Sequence, residues 1–279
     1  MVSSKKTAPG AMAISEADFH RLVSFVKQKY GIDLHEKKQL ITSRLANTVK
    51  GMGFGGFTEY VDYLLKSGTG DDINALLSRL TTNYTYFMRE VESFDYFTGT
   101  ILPELVRAHQ RDKTLSIWSA GCSSGEEPYN MTMYIMDYLG SQYSQWDTRI
   151  LASDLSLEAL NKAKAGVYQL PDTIPEKWRK QYFVPVKGKT DQYTVAPKVK
   201  QNVLFRQFNL MDPIQFRRKF DLIFCRNVMI YFDQPTKDAL VRRFYDATVP
   251  GGYLVISKAE NLSPDTPYGR VATSIFRKK

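Results

Sequence analysis

From Ser15 to about Leu80 the apolar residues recur at helical spacing. Phe19, Leu22, Val23 and Val26 form one stripe, Leu40, Ile41, Leu45 and Val49 a second, and Tyr60, Tyr63, Leu64 and Leu65 a third, with Ile73, Leu76, Leu77 and Leu80 behind them. Ser15 ahead of Glu16 and Asp18 reads as a helix start, while Gly31 and the glycines between Gly51 and Gly56 read as stops. The pattern predicts a small helical bundle. No strand signal precedes Leu115. Beyond it, short apolar runs at 115–118, 149–152, 203–205, 221–225 and 253–256 alternate with helical stretches at 129–139, 157–165 and 237–248. Such alternation predicts a parallel sheet with helices on both faces. Residues 169–201 break the rhythm, because 182–186 and 192–195 read as an antiparallel pair turning at 187–189, an insertion before the third strand.

The 279 residues, 43% hydrophobic and 13% aromatic, have the composition of a globular chain with room for one or two domains. No stretch approaches the roughly 18 uninterrupted apolar residues of a membrane span; even 220–232 contains Asp221 and Arg226. The first ten residues carry Lys5 and Lys6 and no apolar signal segment, so a cytoplasmic protein is expected. Cys122 and Cys225 are too few for a disulfide framework or a cysteine zinc site and are expected to be reduced thiols. His20, His35 and His109 have no metal-ligand spacing, and no metal site is expected. The net charge of +9 points to an anionic partner, which could be nucleic acid, an acidic protein surface or a membrane face.

In an open α/β sheet a ligand lies beyond the carboxyl ends of the strands. The first strand runs into Ser119-Ala120-Gly121-Cys122-Ser123-Ser124-Gly125-Glu126-Glu127, where two glycines either let the backbone approach a ligand or simply make a tight turn. The second ends in Asp154, which either accepts hydrogen bonds from ribose hydroxyls or caps the next helix. From Gly121 to Asp154 is longer than the roughly 20 residues of the usual dinucleotide fingerprint. Asn209-Leu210 and Arg226-Asn227 follow the third and fourth strands. An acid, amides and a glycine turn suit a nucleoside with a charged amino-acid tail, the shape of S-adenosylmethionine.

The segment 81–90 (Thr-Thr-Asn-Tyr-Thr-Tyr-Phe-Met-Arg-Glu), the turn 118–129 with Gly125-Glu126-Glu127-Pro128-Tyr129, and 224–232 (Phe-Cys-Arg-Asn-Val-Met-Ile-Tyr-Phe) together resemble the CheR family of chemotaxis-receptor glutamate methyltransferases. Residues 165–168 and 257–261 are similar to it as well. The resemblance runs from about Ile14 to the C terminus. It implies an all-α N-terminal receptor-recognition domain over 12–82. A Rossmann-like α/β S-adenosylmethionine-dependent methyltransferase domain over 83–279 would follow, with a small antiparallel β-subdomain inserted at about 180–202. The implied activity is methyl transfer to glutamate side chains on chemoreceptor cytoplasmic helices in receptor adaptation, leaving S-adenosylhomocysteine. By the same resemblance Asn83, Thr85 and Arg89 line the cofactor, Glu127 follows the glycine turn, and Asp154 holds the ribose. Asn209 and Leu210 border the adenine, and Arg226 and Asn227 form the remaining wall. Arg89 and Tyr231 lie nearest the reacting methyl as the implied catalytic residues. For Arg89 the plain alternative is an ion pair with Glu90 or Glu92, and for Tyr231 a core aromatic.

The implied partners are the cytoplasmic domains of methyl-accepting receptors, met by Lys37, Lys38, Arg44 and Lys50 of the first domain. No nucleic acid and no membrane insertion are expected, and the protein is expected to be a monomer. A receptor tail peptide is not expected to bind the subdomain, whose turn holds only Gly188 among Lys187, Lys189 and Asp191. Two other readings compete. A nucleic-acid methyltransferase would suit the charge but lacks an Asn-Pro-Pro-Tyr-like or Pro-Cys motif; a non-catalytic cofactor-binding signalling module is disfavoured by the intact Arg89 and Tyr231. A glutamate carboxylate is already ionised at neutral pH, so its attack on a sulfonium methyl needs no general base. The site would have to exclude water and orient one oxygen. Tyr231 can donate a hydrogen bond for this, and Arg89 can pair with either the cofactor's carboxylate or the substrate's.

Overall fold

Ser15 opens the first helix: its Oγ accepts the Asp18 N–H at 3.1 Å, and after fifteen helical residues Gly31, at φ +73°, closes the helix by returning its N–H to Lys27 O. The computed structural model describes residues 12–81 and 83–279; the first eleven residues, on which the expectation of no signal segment rests, and Thr82 lie outside them. The chain divides into two compact units, one ending at Thr82 and the other beginning at Asn83.

The first unit contains α1 (Glu16–Tyr30), α2 (Lys38–Gly51), α3 (Phe57–Ser67) and α4 (Gly70–Leu80). Its core takes Phe19, Leu22, Val23 and Val26 from α1, Ile41, Leu45 and Val49 from α2, Phe57, Tyr60, Val61 and Leu64 from α3 and Ile73, Leu76, Leu77 and Leu80 from α4. The third stripe is therefore rotated from the expected one. Phe57 and Val61 are buried, whereas Tyr63 and Leu65 are half-buried, because Tyr63 reaches out to bond Asp72 at 2.6 Å. Arg44, half-buried, has a structural task within this unit. Its Nη1 donates to the carbonyls of Arg79, Leu80 and Thr81 at 3.1, 3.1 and 3.3 Å, closing the carbonyl end of α4 rather than facing outward.

The second unit begins with α5 (Val91–Tyr96), a π-helical turn and α6 (Leu102–Ala108), followed by β1 (Ile117–Ala120), α7 (Glu126–Leu139), β2 (Ile150–Asp154), α8 (Leu157–Ala165) and β3 (Val167–Tyr168). Next come α9 (Glu176–Tyr182), β4 (Phe183–Pro185), β5 (Tyr193–Val195), α10 (Pro197–Lys200), β6 (Val203–Gln207) and β7 (Phe220–Phe224). The chain finishes with α11 (Gln234–Ala247), β8 (Thr248–Val255), β9 (Tyr268–Ala272) and β10 (Ile275–Lys278). The main sheet has the order β6-β2-β1-β7-β8-β10-β9, parallel up to β8, with β10 and β9 antiparallel at the edge. Side chains alternate across it. Ile117, Leu222 and Phe224 meet Phe94, Phe97, Leu102, Met131 and Ile135 on one face, while Trp118 packs edge-on against Phe244 of α11 on the other. Both faces are covered, which is why β1 and β7 are buried throughout and apolar but for Ser119 and Asp221.

Two features depart from the sequence reading. The sheet is mixed, since the edge hairpin β9–β10, with Arg270, Arg277 and Lys278 among its residues, lacks the apolar run of an inner strand. The small sheet, order β3-β5-β4, takes its third strand from Val167–Tyr168, ahead of the expected 180–202 insertion. A two-residue strand is too short to show a period.

Candidate active site

From β1 the chain moves to β2 and β6 on one side and then returns past β1 to β7 on the other. Loops leaving β1 and β7 diverge, so a crevice forms beyond their carboxyl ends. The loop after β1 is bent by Gly121 (φ +84°), Ser123 (+49°) and Gly125 (+92°). Gly121 and Cys122 both give their N–H to Ser153 O, at 2.8 and 2.9 Å. A Cβ on Gly121 would stand 2.2 Å from Val228 Cγ2 in the loop after β7, and one on Gly125 2.8 Å from Ala163 Cβ in α8. Close packing alone requires both glycines, and it sets the two strand-end loops side by side.

Asp154 is half-buried at the end of β2, with Oδ2 accepting the Ser123 N–H at 2.7 Å and Oδ1 the Ser156 N–H at 2.8 Å. Ser156, not Asp154, caps α8, through Oγ and the Ala159 N–H. Burial pushes the Asp154 carboxyl above its usual range, against the N–H groups of Ser156, Ser123 and Leu155. Each oxygen has taken one N–H and retains acceptor capacity. Phe208 gives its N–H to Asp154 O at 3.1 Å, which brings Asn209 and buried Leu210 next to this strand end. Asn209 Oδ1 accepts the Met211 N–H at 3.1 Å and so shapes its own turn.

The segment 83–90 reaches the glycine loop where Ser123 Oγ donates to Asn83 O at 3.2 Å. Phe87 anchors it, fully buried edge-on against Tyr168 and Phe183 of the small sheet. Thr85 is half-buried between exposed Tyr84 and Tyr86. Arg89 donates from Nη1 to Tyr84 O at 2.6 Å, and its guanidinium lies over the Tyr84 and Tyr86 rings at 5.8 and 6.0 Å. It makes no ion pair with Glu90 or Glu92: Glu90 is joined to Arg226, and Glu92 to Lys258 at 2.7 Å.

Arg226 is the clamp of the site, its side chain only 2% exposed. Nη1 meets Glu127 Oε2 at 3.1 Å; Nη2 donates to Arg89 O at 2.6 Å and lies 3.3 Å from Glu90 Oε2. Through Nη1 and Nη2 the guanidinium ties α7, the 83–90 segment and the end of β7 together, while its buried Nε has no hydrogen-bond partner among the described residues. Burial pushes Glu127 above its usual range despite Arg226 and the Ser119 hydroxyl at 2.8 Å. Burial acts the same way on Glu90, but Arg226 together with Ser257, Asn227 and the Lys258 N–H outweighs it and holds that carboxyl low. Glu90 falls where Glu127 rises because Glu127 is the more deeply buried and feels the charge of Glu90, while Glu90 accepts more hydrogen bonds. Asn227, at φ +60°, donates from Nδ2 to Ser257 Oγ at 2.7 Å and Glu90 Oε1 at 3.2 Å. Tyr231 ends a 3-10 turn, Met229–Tyr231, and is half-buried rather than a core aromatic.

Glu90, Ser257 and Glu260 were not singled out as site residues from the sequence. Glu90 and the stretch 257–261 both lay inside recognised segments, but nothing in a linear pattern shows that they meet Asn227. Cys122 and Cys225 are buried, unpaired by a disulfide, and burial pushes both thiols well up. Among the described residues no group of His, Cys, Asp or Glu could hold a metal ion, and no helix is long and apolar enough to cross a membrane.

A switch-point crevice with a strand-end acid beside a glycine turn suits a ligand that carries a nucleoside. Residues 83–274 match the family described as CheR methyltransferase, SAM binding domain, and residues 17–81 match CheR methyltransferase, all-alpha domain. The chain belongs to this family. It is 37% identical over 275 residues to a chemotaxis protein methyltransferase of Borreliella burgdorferi, covering 95% of each chain. It is 34% identical over 265 residues to that of Salmonella typhimurium (90% of this chain, 86% of that one) and 32% over 266 to that of Escherichia coli (90% and 87%). The cofactor is S-adenosylmethionine, and the remaining acceptor capacity of Asp154 fits a ribose diol.

Proposed function

We propose that this methyltransferase esterifies glutamate side chains on the cytoplasmic helices of chemoreceptors, in receptor adaptation. The observation that carries this reading is how the carboxylates around the crevice are engaged. Glu90 and Glu127 share Arg226, Asp154 accepts two backbone N–H groups, and Glu260 accepts three. The loops after β1, β2, β6 and β7 contain no histidine, and their cysteines, Cys122 and Cys225, are buried thiols. Such a site positions a nucleophile that arrives already ionised, as a glutamate does. The relatives, chemotaxis protein methyltransferases, support a role in chemotaxis.

Bound there, the cofactor supplies a methyl group on a positively charged sulfur. Asp154 would accept the ribose hydroxyls, Asn209 and Leu210 would border the adenine, and Asn83, Thr85, Arg89 and Glu127 would hold the amino-acid end, with Arg226 and Asn227 fixing their neighbours. Tyr231 would orient the acceptor carboxylate by a hydrogen bond. Arg89 would pair with a carboxylate of cofactor or substrate. The first unit would recognise the receptor: a groove of about 530 Å³ beside α2, lined by Met12, Ile14, Gln39, Thr42, Ala46 and Lys50, combines apolar surface with a basic rim.

The test is incubation with methyl-labelled S-adenosylmethionine and, separately, receptor fragments and RNA. Base-labile label in the receptor fragment is expected. Label in RNA, or base-stable label in the receptor, would overturn the proposal.

A further inference from the structure

The stretch 257–261 carries a buried acid aimed at the turn after β7. Glu260 is 5% exposed. Its Oε2 accepts the N–H groups of Asn227 at 3.1 Å and Ser257 at 2.8 Å, and its Oε1 that of Ile230 at 3.2 Å. Two of these donors belong to the turn that ends in Tyr231. The turn's own backbone bonds are sparse: Tyr231 N–H to Val228 O at 3.3 Å and Phe232 N–H to Met229 O at 3.1 Å. Asn227 also sits at φ +60°, a left-handed conformation that asparagine tolerates better than most L residues and that aims its N–H at Glu260 Oε2. An external carboxylate therefore sets the shape of the turn.

We propose that Glu260 is a positioning residue for methyl transfer, holding the backbone of the 227–231 turn so that the Tyr231 hydroxyl is presented to the acceptor. This rests on the reading of Tyr231 as the group that orients the acceptor. The role is separable from cofactor binding, because the Asn227 side chain is also held by Glu90, whose carboxylate makes no bond to Glu260. Both carboxylate oxygens are required. An amide at this place would keep one acceptor and turn an NH2 group against a backbone N–H.

The experiment is a double-mutant cycle in full-length enzyme, with E260Q, Y231F and the double variant assayed for kcat and for KM of S-adenosylmethionine and of a receptor fragment. Y231F is expected to lower kcat at least tenfold. E260Q is expected to lower kcat about tenfold in the wild-type background, leave the cofactor KM within threefold, and lower kcat by less than threefold once Tyr231 is Phe. The same factor in both backgrounds, or wild-type turnover of E260Q, would overturn the positioning role. Wild-type turnover of Y231F would instead sink the reading of Tyr231, and Glu260 would lose its proposed purpose with it. Thermal unfolding verifies that E260Q is folded; if it is not, E260D takes its place in the cycle under the same criteria.

Discussion

Asp154 stands where β2 has ended and α8 has not begun, so its two oxygens are aimed by the N–H groups of Ser123 and Ser156 rather than by a helix. A preset acceptor pair of this kind loses little freedom when a diol arrives. D154A should weaken S-adenosylhomocysteine binding by about 1.5–3 kcal/mol, since it removes two hydrogen bonds to a charged group. Calorimetry giving unchanged affinity would exclude the ribose role. Residues of the Arg226 clamp act differently. Removing the arginine leaves Glu90 and Glu127 half-buried near one another without a cation between them, so R226M should lower the denaturant midpoint as well as cofactor affinity.

Two predictions belong to the helices. Arg44 closes the carbonyl end of α4, so R44A should destabilise the protein by about 1–2 kcal/mol, read from denaturant midpoints. R44E would therefore report on the fold rather than on a receptor contact. Lys37 and Lys50 are exposed at the two ends of α2 and test the contact cleanly. Reversing both charges should raise the receptor KM several-fold at low salt and flatten its salt dependence; kinetics equal to wild type would refute the surface. His109 caps the carbonyl end of α6, with Nε2 3.0 Å from Asp221 and Nδ1 3.0 Å from Asp112. Burial opposes its charge, but Asp221 and Asp112 outweigh it and raise the imidazole above its ordinary 6.5. Its stabilising effect is complete below that ordinary value and is lost as the pH rises through the higher folded one. Unfolding free energy should thus decline across and above neutral pH. H109Q should remove this slope in denaturation series between about pH 5.5 and 8.5; a slope equal to wild type would show that another group titrates.

At the scale of the whole molecule the small sheet bears on how a receptor is engaged. Its outer strands are β3 and β4; the first is two residues long, and the second is three and ends in Pro185, which has no N–H to give. Neither edge offers an added strand a continuous row of partners, and the Val186–Gln192 turn holds a single glycine. Peptides from receptor C termini should show no micromolar binding to this protein by calorimetry. Binding in that range would mean that the edge rearranges to accept a strand.

Much of the molecule follows from local pattern. The stripes of α1, α2 and α4, the caps at Ser15 and Gly31 and the alternation after Leu115 are properties of neighbouring residues, and each is legible before any folding is considered, whereas the buried face of α3 was fixed by packing. The strand ends carrying Gly121, Asp154 and Asn227 could be found the same way, because a parallel strand forces chemistry to its carboxyl end. Tertiary structure alone decided which groups meet. Glu90 and Glu127 converge on Arg226 from segments far apart in sequence, Val228 lies against Gly121, Arg44 turns inward to α4, and Glu260 reaches the turn of Tyr231. Hydrophobic periodicity is set by a residue's own helix or strand, whereas a buried charge takes whichever partner the packed chain brings within about 3 Å.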